Sequence, residues 1–91
     1  MAHQHNNPLR LTKAEVDAAF AHGVWAVKFP PILSVDQAAE LLQVPKATVY
    51  AWRSQGLLKG CCRRVGKYLR FFRDRLVLKL MNEGLYSDES S

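Results

Sequence analysis

Residues 33–56 read LSVDQAAELLQVPKATVYAWRSQG and predict two short helices joined by a tight turn. Ser34 and Gln37 have the spacing of a capping box, in which each side chain caps the other residue's backbone amide. Ala38, Leu41 and Leu42 then fall on one face, as expected of an amphipathic helix. The first helix therefore begins at the serine.

A proline marks the end of the turn. Pro45 disfavours helical geometry at Val44, so the first helix should end near Gln43. The same proline suits the first turn of a second helix, because its missing N–H has no intrahelical partner there. We expect that helix to run to Gln55, with Gly56 as its cap. Two such helices and a tight turn are the layout of a helix-turn-helix.

The sequence after this unit alternates and predicts a β-hairpin. Residues 61–65 and 68–72 flank a Gly-Lys pair at residues 66–67, which fits a two-residue type II′ turn. This register places Arg63 opposite Arg70 on the outer face, where like charges destabilise a strand pair. A phosphate bound between the two arginines would remove that penalty. We interpret the hairpin as a wing.

The flanking segments complete the expected domain organisation. Thr12 and Glu15 have a second capping-box spacing and predict a short N-terminal helix that ends at Gly23. Residues 24–29 are β-branched and aromatic and predict a short strand or an extended connector. The chain is divided into a flexible leader (1–11), an N-terminal helix and connector (12–32), a winged helix-turn-helix domain (33–84) and an acidic tail (85–91).

The basic residues are concentrated in one part of the chain. Of the 13 lysines and arginines, nine lie between Lys46 and Arg75, accompanied by the single acid Asp74. The net charge of this window is +8, whereas the rest of the chain carries −3. Such asymmetry is typical of a protein that binds a polyanion, because phosphate neutralisation supplies most non-specific affinity for nucleic acid. An acidic membrane surface would also fit the charge alone.

The stretch from Leu33 to Trp52 resembles the DNA-binding domain of phage excisionases and MerR-type regulators, whose motif reads LTxxEAAxxLGVSxxTVxxW. Residues 70–76, RFFRDRL, resemble the excisionase sequence RIPRxDL. The chain departs from these patterns at Gln43, where a turn glycine is usual, and at Phe72 and Arg75. The resemblance implies a mainly α fold with a small β-hairpin, a winged helix-turn-helix that inserts its second helix in the major groove of DNA.

The second helix has two faces at 100° per residue. Val49 and Trp52 point to the core, and the opposite face is formed by small residues with one tyrosine, Tyr50. Arg53 is left open between a phosphate contact and an ordinary surface role. The residues expected to contact DNA on the helix and the wing are Lys46, Ala47, Thr48, Tyr50, Ala51, Arg53, Ser54, Arg63, Arg64, Lys67, Arg70 and Arg73.

Other functions find little support. The sequence has no arrangement of nucleophile and base expected of an enzyme, and no cofactor or metal site is predicted. His3 and His5 are interpreted as residues of a solvated tail. The adjacent Cys61 and Cys62 suit neither an ordinary disulfide nor a zinc site, and predict reduced thiols in a cytoplasmic protein. An inward position of Cys62 in the hairpin indicates a small core residue. We expect neither a membrane span nor a signal peptide.

The partner expected from these features is double-stranded DNA. The resemblance leaves open an excisionase-like recombination directionality or architectural factor and a small transcriptional regulator; the lack of a recognisable ligand-sensing domain favours the former. A protein-interaction module without DNA binding is the alternative. The last helix, residues 73–81, is apolar over about 200° of its circumference. We expect its excess apolar surface to be covered by the N-terminal helix, a second protomer or another protein.

Overall fold

A computed structural model describes residues 10–84. The predictions for His3, His5, most of the leader and the acidic tail fall outside these residues. The elements in chain order are α1 (Lys13–Ala19), α2 (Gly23–Lys28), β1 (Ile32–Leu33), α3 (Val35–Leu42), α4 (Lys46–Ser54), β2 (Cys62–Val65), β3 (Tyr68–Phe72) and α5 (Arg73–Leu78), which continues as a π-helical segment (Lys79–Glu83). The fold is the predicted winged helix-turn-helix, with α3 and α4 as the two helices of the motif.

Both predicted capping boxes are present. Ser34 and Gln37 cap α3, and Thr12 and Glu15 cap α1, each pair through reciprocal backbone bonds. Pro45 is the N-cap of α4 rather than a residue of its first turn, so the helix begins one position later than the proline. Gln43 adopts the left-handed conformation, with φ 59° and ψ 45°, and its N–H donates to the end of α3. A glutamine thus makes the left-handed turn at the position where the family motif has glycine.

The sheet contains the predicted hairpin and one further strand. β2 and β3 pair antiparallel in the register expected from the sequence, with Arg63 opposite Arg70. At the turn, Gly66 has φ 62°, whereas Lys67 does not adopt a positive φ, as a type II′ turn requires. The two-residue strand β1 pairs with the other edge of β3, giving the order β1-β3-β2. The sequence did not predict this strand, which follows two prolines.

The prediction of a strand or extended connector at residues 24–29 is wrong. This segment is α2, a helix closed by a bond from the Phe29 amide to the Trp25 carbonyl. The Trp25 ring lies 5.7 Å from that of Phe20 and 6.2 Å from that of Phe29. Phe29 and Phe20 are both buried. This aromatic packing outweighs the β propensity of Val24 and its neighbours, a weak preference that depends on context.

One core joins the N-terminal helices to the winged unit. The buried side chains of α1, α3, α4, the sheet and α5 form a single cluster, which includes Val16, Leu33, Val49, Phe71 and Leu76. Trp52 is half-buried against it, on the predicted side of α4. The buried cysteine is Cys61, whereas Cys62 is only half-buried, in contrast to the prediction that Cys62 fills the core.

The two ends of the described chain meet at the last helix. α1 packs on α5, and the Leu11 amide donates to Asn82 Oδ1 at 2.7 Å. The Asn82 amide group returns a bond to the Leu11 carbonyl at 2.9 Å. The N-terminal helix therefore covers part of the apolar circumference of α5, although Met81 remains 60% exposed.

Candidate nucleic-acid interface

The exposed face of α4 carries the small residues and the tyrosine that the helical spacing predicted there. Val49 is fully buried beneath the helix, which orients the opposite side toward solvent. Tyr50 is 49% exposed at the centre of that side. The exposed small residues around it are Ala47, Ala51 and Ser54. This surface lets a DNA duplex approach the helix backbone closely, with one aromatic hydroxyl available for hydrogen bonding.

Lys46 begins α4 and forms an ion pair with the first turn of α3. Its Nζ lies 3.0 Å from Oδ1 of Asp36, and both side chains are largely exposed. The hydrogen bond and the charge of Asp36 raise the pKa of Lys46 above its ordinary value. Pro45 supplies no side-chain cap to α4. Lys46 stands at the N-terminus of α4, where the helix dipole disfavours a positive charge. The carboxylate of Asp36 offsets that effect.

The wing presents cations around an exposed tyrosine. On β3, the Arg70 guanidinium lies 5.1 Å from the centre of the Tyr68 ring, and Lys67 Nζ lies 5.6 Å from it. Arg70 Nη1 also donates to the Leu69 carbonyl at 2.9 Å. These contacts hold the two cations near the hairpin tip without neutralising them. Arg63, across from Arg70, is exposed on the same outer face.

A groove brings the second helix and the wing together. From the helix side it is lined by Lys46 and Tyr50, and from the wing by Lys67 and Arg70. The N-terminal end of α3 closes it with Ser34, Val35 and Asp36. Four of the predicted contact residues, from segments 17 or more positions apart, thus line one concave surface. Their cations and a tyrosine hydroxyl are the groups that contact DNA phosphates and base edges in proteins.

The other predicted residues lie around this groove or away from it. Ala47, Ala51 and Ser54 are exposed on α4, whereas Thr48 and Arg53 are half-buried. Arg64 is exposed, but it pairs with Leu69 and so projects from the opposite face of the hairpin to Arg63. Its long side chain reaches solvent at the edge of the wing, outside the groove.

The prediction that Arg73 contacts DNA is not consistent with its position. Arg73 is only 7% exposed. Its Nη1 donates to the Phe29 carbonyl at 2.9 Å, and its Nε donates to Asp74 Oδ1 at 2.8 Å. The guanidinium lies 4.2 Å from the centre of the Phe20 ring. The contacts with Phe29 and Phe20 join α5 to the N-terminal segment, and the Asp74 contact lies within α5, so we assign Arg73 to the core.

Tyr68 and Asp36 line the groove but were not among the predicted contact residues. The predicted register already placed Tyr68 on the outer face beside Arg70, so its position was a signal that could have identified it. Asp36 gave no comparable signal, because its pairing with Lys46 depends on the angle between α3 and α4. Local sequence patterns do not encode that angle.

Other kinds of site find no support within residues 10–84. No group of three or more His, Cys, Asp or Glu side chains in this range is arranged to hold a metal ion. The Cys61 Sγ lies 3.6 Å from the Arg75 carbonyl, and burial raises the pKa of this thiol. A raised pKa makes the thiolate scarce at neutral pH and the thiol a poor nucleophile. No helix in the same range has the length and apolar character needed to cross a membrane.

Comparison with known proteins gives one match. The sequence profile of a family described as "Helix-turn-helix domain" matches residues 32–78, about half of the chain, from β1 to the end of α5. No curated protein and no solved structure matches at a significant level. The matched span contains α3, α4 and the wing, and therefore the whole groove.

Proposed function

Because this chain belongs to the helix-turn-helix domain family, we propose that it binds double-stranded DNA sequence-selectively, with α4 in the major groove and the wing against the backbone. The observation that carries the proposal is the groove in which Lys46 and Tyr50 of α4 face Lys67 and Arg70 of the wing. A helix and a cationic hairpin on one concave surface suit the adjacent groove and phosphates of a duplex.

The residues divide into two roles under this proposal. Tyr50 and Ser54 read base edges, because they lie on the exposed side of α4 between small residues. Lys46, Arg53, Arg63, Lys67 and Arg70 bind phosphates, which position the protein but carry no direct sequence information. The exposed face of α4 has neither the arginine that recognises guanine nor the asparagine that recognises adenine. We therefore expect moderate selectivity.

The test is the salt dependence of duplex binding. If about five phosphates are neutralised, log K should fall with log salt at a slope of about −4.5. Binding to a random-sequence duplex is measured by fluorescence anisotropy at several salt concentrations. A slope shallower than about −2 would contradict a phosphate-dominated complex.

The alternative is a protein-interaction module that uses this fold without DNA. It is favoured by the exposed apolar residues of α2, Val24 and Val27, which lie outside the groove. A pure interaction module should not bind unrelated duplex DNA at low salt, so the same titration separates the two classes. An enzymatic role is not part of either proposal.

The biological role we propose is that of an excisionase-like recombination directionality or architectural factor, or of a small transcriptional regulator, acting in the cytoplasm. A selection of bound DNA fragments from a whole genome would separate recombination sites from promoters.

We further propose that the C-terminal helix mediates association with a second protomer or a partner protein. Met81, which is exposed and lines an apolar groove formed by α1, α3 and the C-terminal helix, supports this part of the proposal.

A further inference from the structure

We propose that Asp36 restrains sequence-independent DNA binding by neutralising Lys46 within the groove, an inference that rests on the proposed DNA-binding function. Among the described residues that line the groove, Asp36 is the one acidic side chain. Its carboxylate lies 3.0 Å from Lys46 Nζ. The remaining groove cations, Lys67 and Arg70, contact the Tyr68 ring and no carboxylate among the described residues.

The position of Asp36 explains why its effect should be larger than that of an ordinary surface acid. Asp36 stands in the first turn of α3, and Lys46 stands at the first position of α4. The ion pair therefore lies where the two helices of the motif converge on the groove. A phosphate that approaches Lys46 must displace the carboxylate or accept its repulsion. Both effects weaken the electrostatic part of binding, which supplies essentially all non-specific affinity.

Asp36→Asn is the direct test, and Asp17→Asn is its matched control. Asp17 also forms an exposed ion pair, with Lys13 at 3.3 Å on α1, but it does not line the groove. Both substitutions remove one negative charge and one surface ion pair. Each variant is titrated with a random-sequence duplex at several salt concentrations, and thermal unfolding confirms that it is folded.

We expect Asp36→Asn to bind the random duplex about two- to fivefold more tightly, the range of an exposed ion pair. The slope of log K against log salt should steepen by at most about 0.9, because Asp36 no longer competes with the phosphate that binds Lys46. Asp17→Asn should move both quantities less. Equal changes in the two variants would overturn the inference while leaving duplex binding by the parent intact. If neither the parent nor Asp36→Asn binds the duplex, the proposed function fails as well.

A second comparison tests whether the gain of affinity in Asp36→Asn acts through Lys46. In the double variant Asp36→Asn with Lys46→Gln, the gained affinity should largely disappear. If it persists in full, Asp36 acts without Lys46, and the inference is overturned.

Discussion

Single side chains of similar charge have different roles in this protein, and burial decides which. Arg63 is exposed on the wing, whereas Arg73 is buried and donates to the Phe29 carbonyl and to the half-buried Asp74. A buried guanidinium keeps its charge and therefore needs such partners. Three positions beyond Arg70, the chain has thus changed from a surface suited to phosphates to a structural contact.

We expect Arg73→Ala to reduce the free energy of unfolding by about 2–4 kcal/mol. The loss combines an unsatisfied Phe29 carbonyl with the missing contact to the Phe20 ring. Urea denaturation measures it, and Arg64→Ala, which removes an exposed arginine, should change stability by no more than about 0.5 kcal/mol. An Arg73→Ala variant that keeps the parental stability but no longer binds DNA would show that Arg73 contacts DNA and is not a structural residue.

At the scale of elements, two turns fix the geometry of the groove. The turn between α3 and α4 passes through Gln43 in the left-handed conformation, and the wing turns at Gly66. Glycine adopts that conformation freely, whereas other residues are strained in it. The motif therefore contains one strained turn and one relaxed turn.

Gln43→Gly should stabilise the protein by about 1 kcal/mol, because glycine relieves the left-handed strain at a helix C-terminus. Thermal unfolding measures the shift, and Gln43→Ala is the control, since alanine has the same Cβ penalty as glutamine. A glycine variant that is less stable than the alanine variant would show that the Gln43 side chain contributes contacts greater than the strain.

The facing arginines of the wing should have opposite effects on folding and binding. Replacing Arg63 and Arg70 with Thr removes a cross-strand repulsion. The free energy of unfolding should therefore stay unchanged or rise by roughly a few tenths of a kcal/mol. Duplex affinity should fall by about 1–3 kcal/mol through two lost charge-assisted contacts. Unfolding without DNA and binding at fixed salt are measured, with Lys59→Gln as a control outside the hairpin. A double variant that is destabilised yet binds normally would assign these arginines to the fold.

At the scale of the whole molecule, the N-terminal helices complete the core of the winged unit. Arg73 joins α5 to Phe29 at the end of α2, the Phe29 ring packs on Trp25, and α1 covers one side of α5. The matched helix-turn-helix span, residues 32–78, includes none of α1 or α2. The described protein therefore uses segments outside that span to bury Leu76 and its neighbours.

Self-association through the last helix is the prediction at this scale. Sedimentation velocity with and without a multi-site duplex should detect species larger than a monomer on or off DNA. Met81→Glu should abolish them, because a charge in an apolar contact is costly. Val24→Glu, which changes an even more exposed apolar residue on α2, should have little effect. A monomer under every condition would exclude self-association.

Local patterns predicted most of the motif and part of the candidate site. The capping boxes, the face of α4 and the hairpin register all depend on residues close in sequence, and each is present. The helix α2, the strand β1 and the burial of Arg73 depend on contacts with distant elements. The Asp36 pair likewise requires two helices to meet. Sequence periodicity carries no information about such contacts.

The reciprocal hydrogen bonds between Leu11 and Asn82 have a mechanical consequence. They join residues 71 positions apart, near the two ends of the described chain. A force applied to those ends would act on this pair before it reached the sheet or α4. The first event of stretching would then be the separation of α1 from α5, while the groove between α4 and the wing remained unloaded.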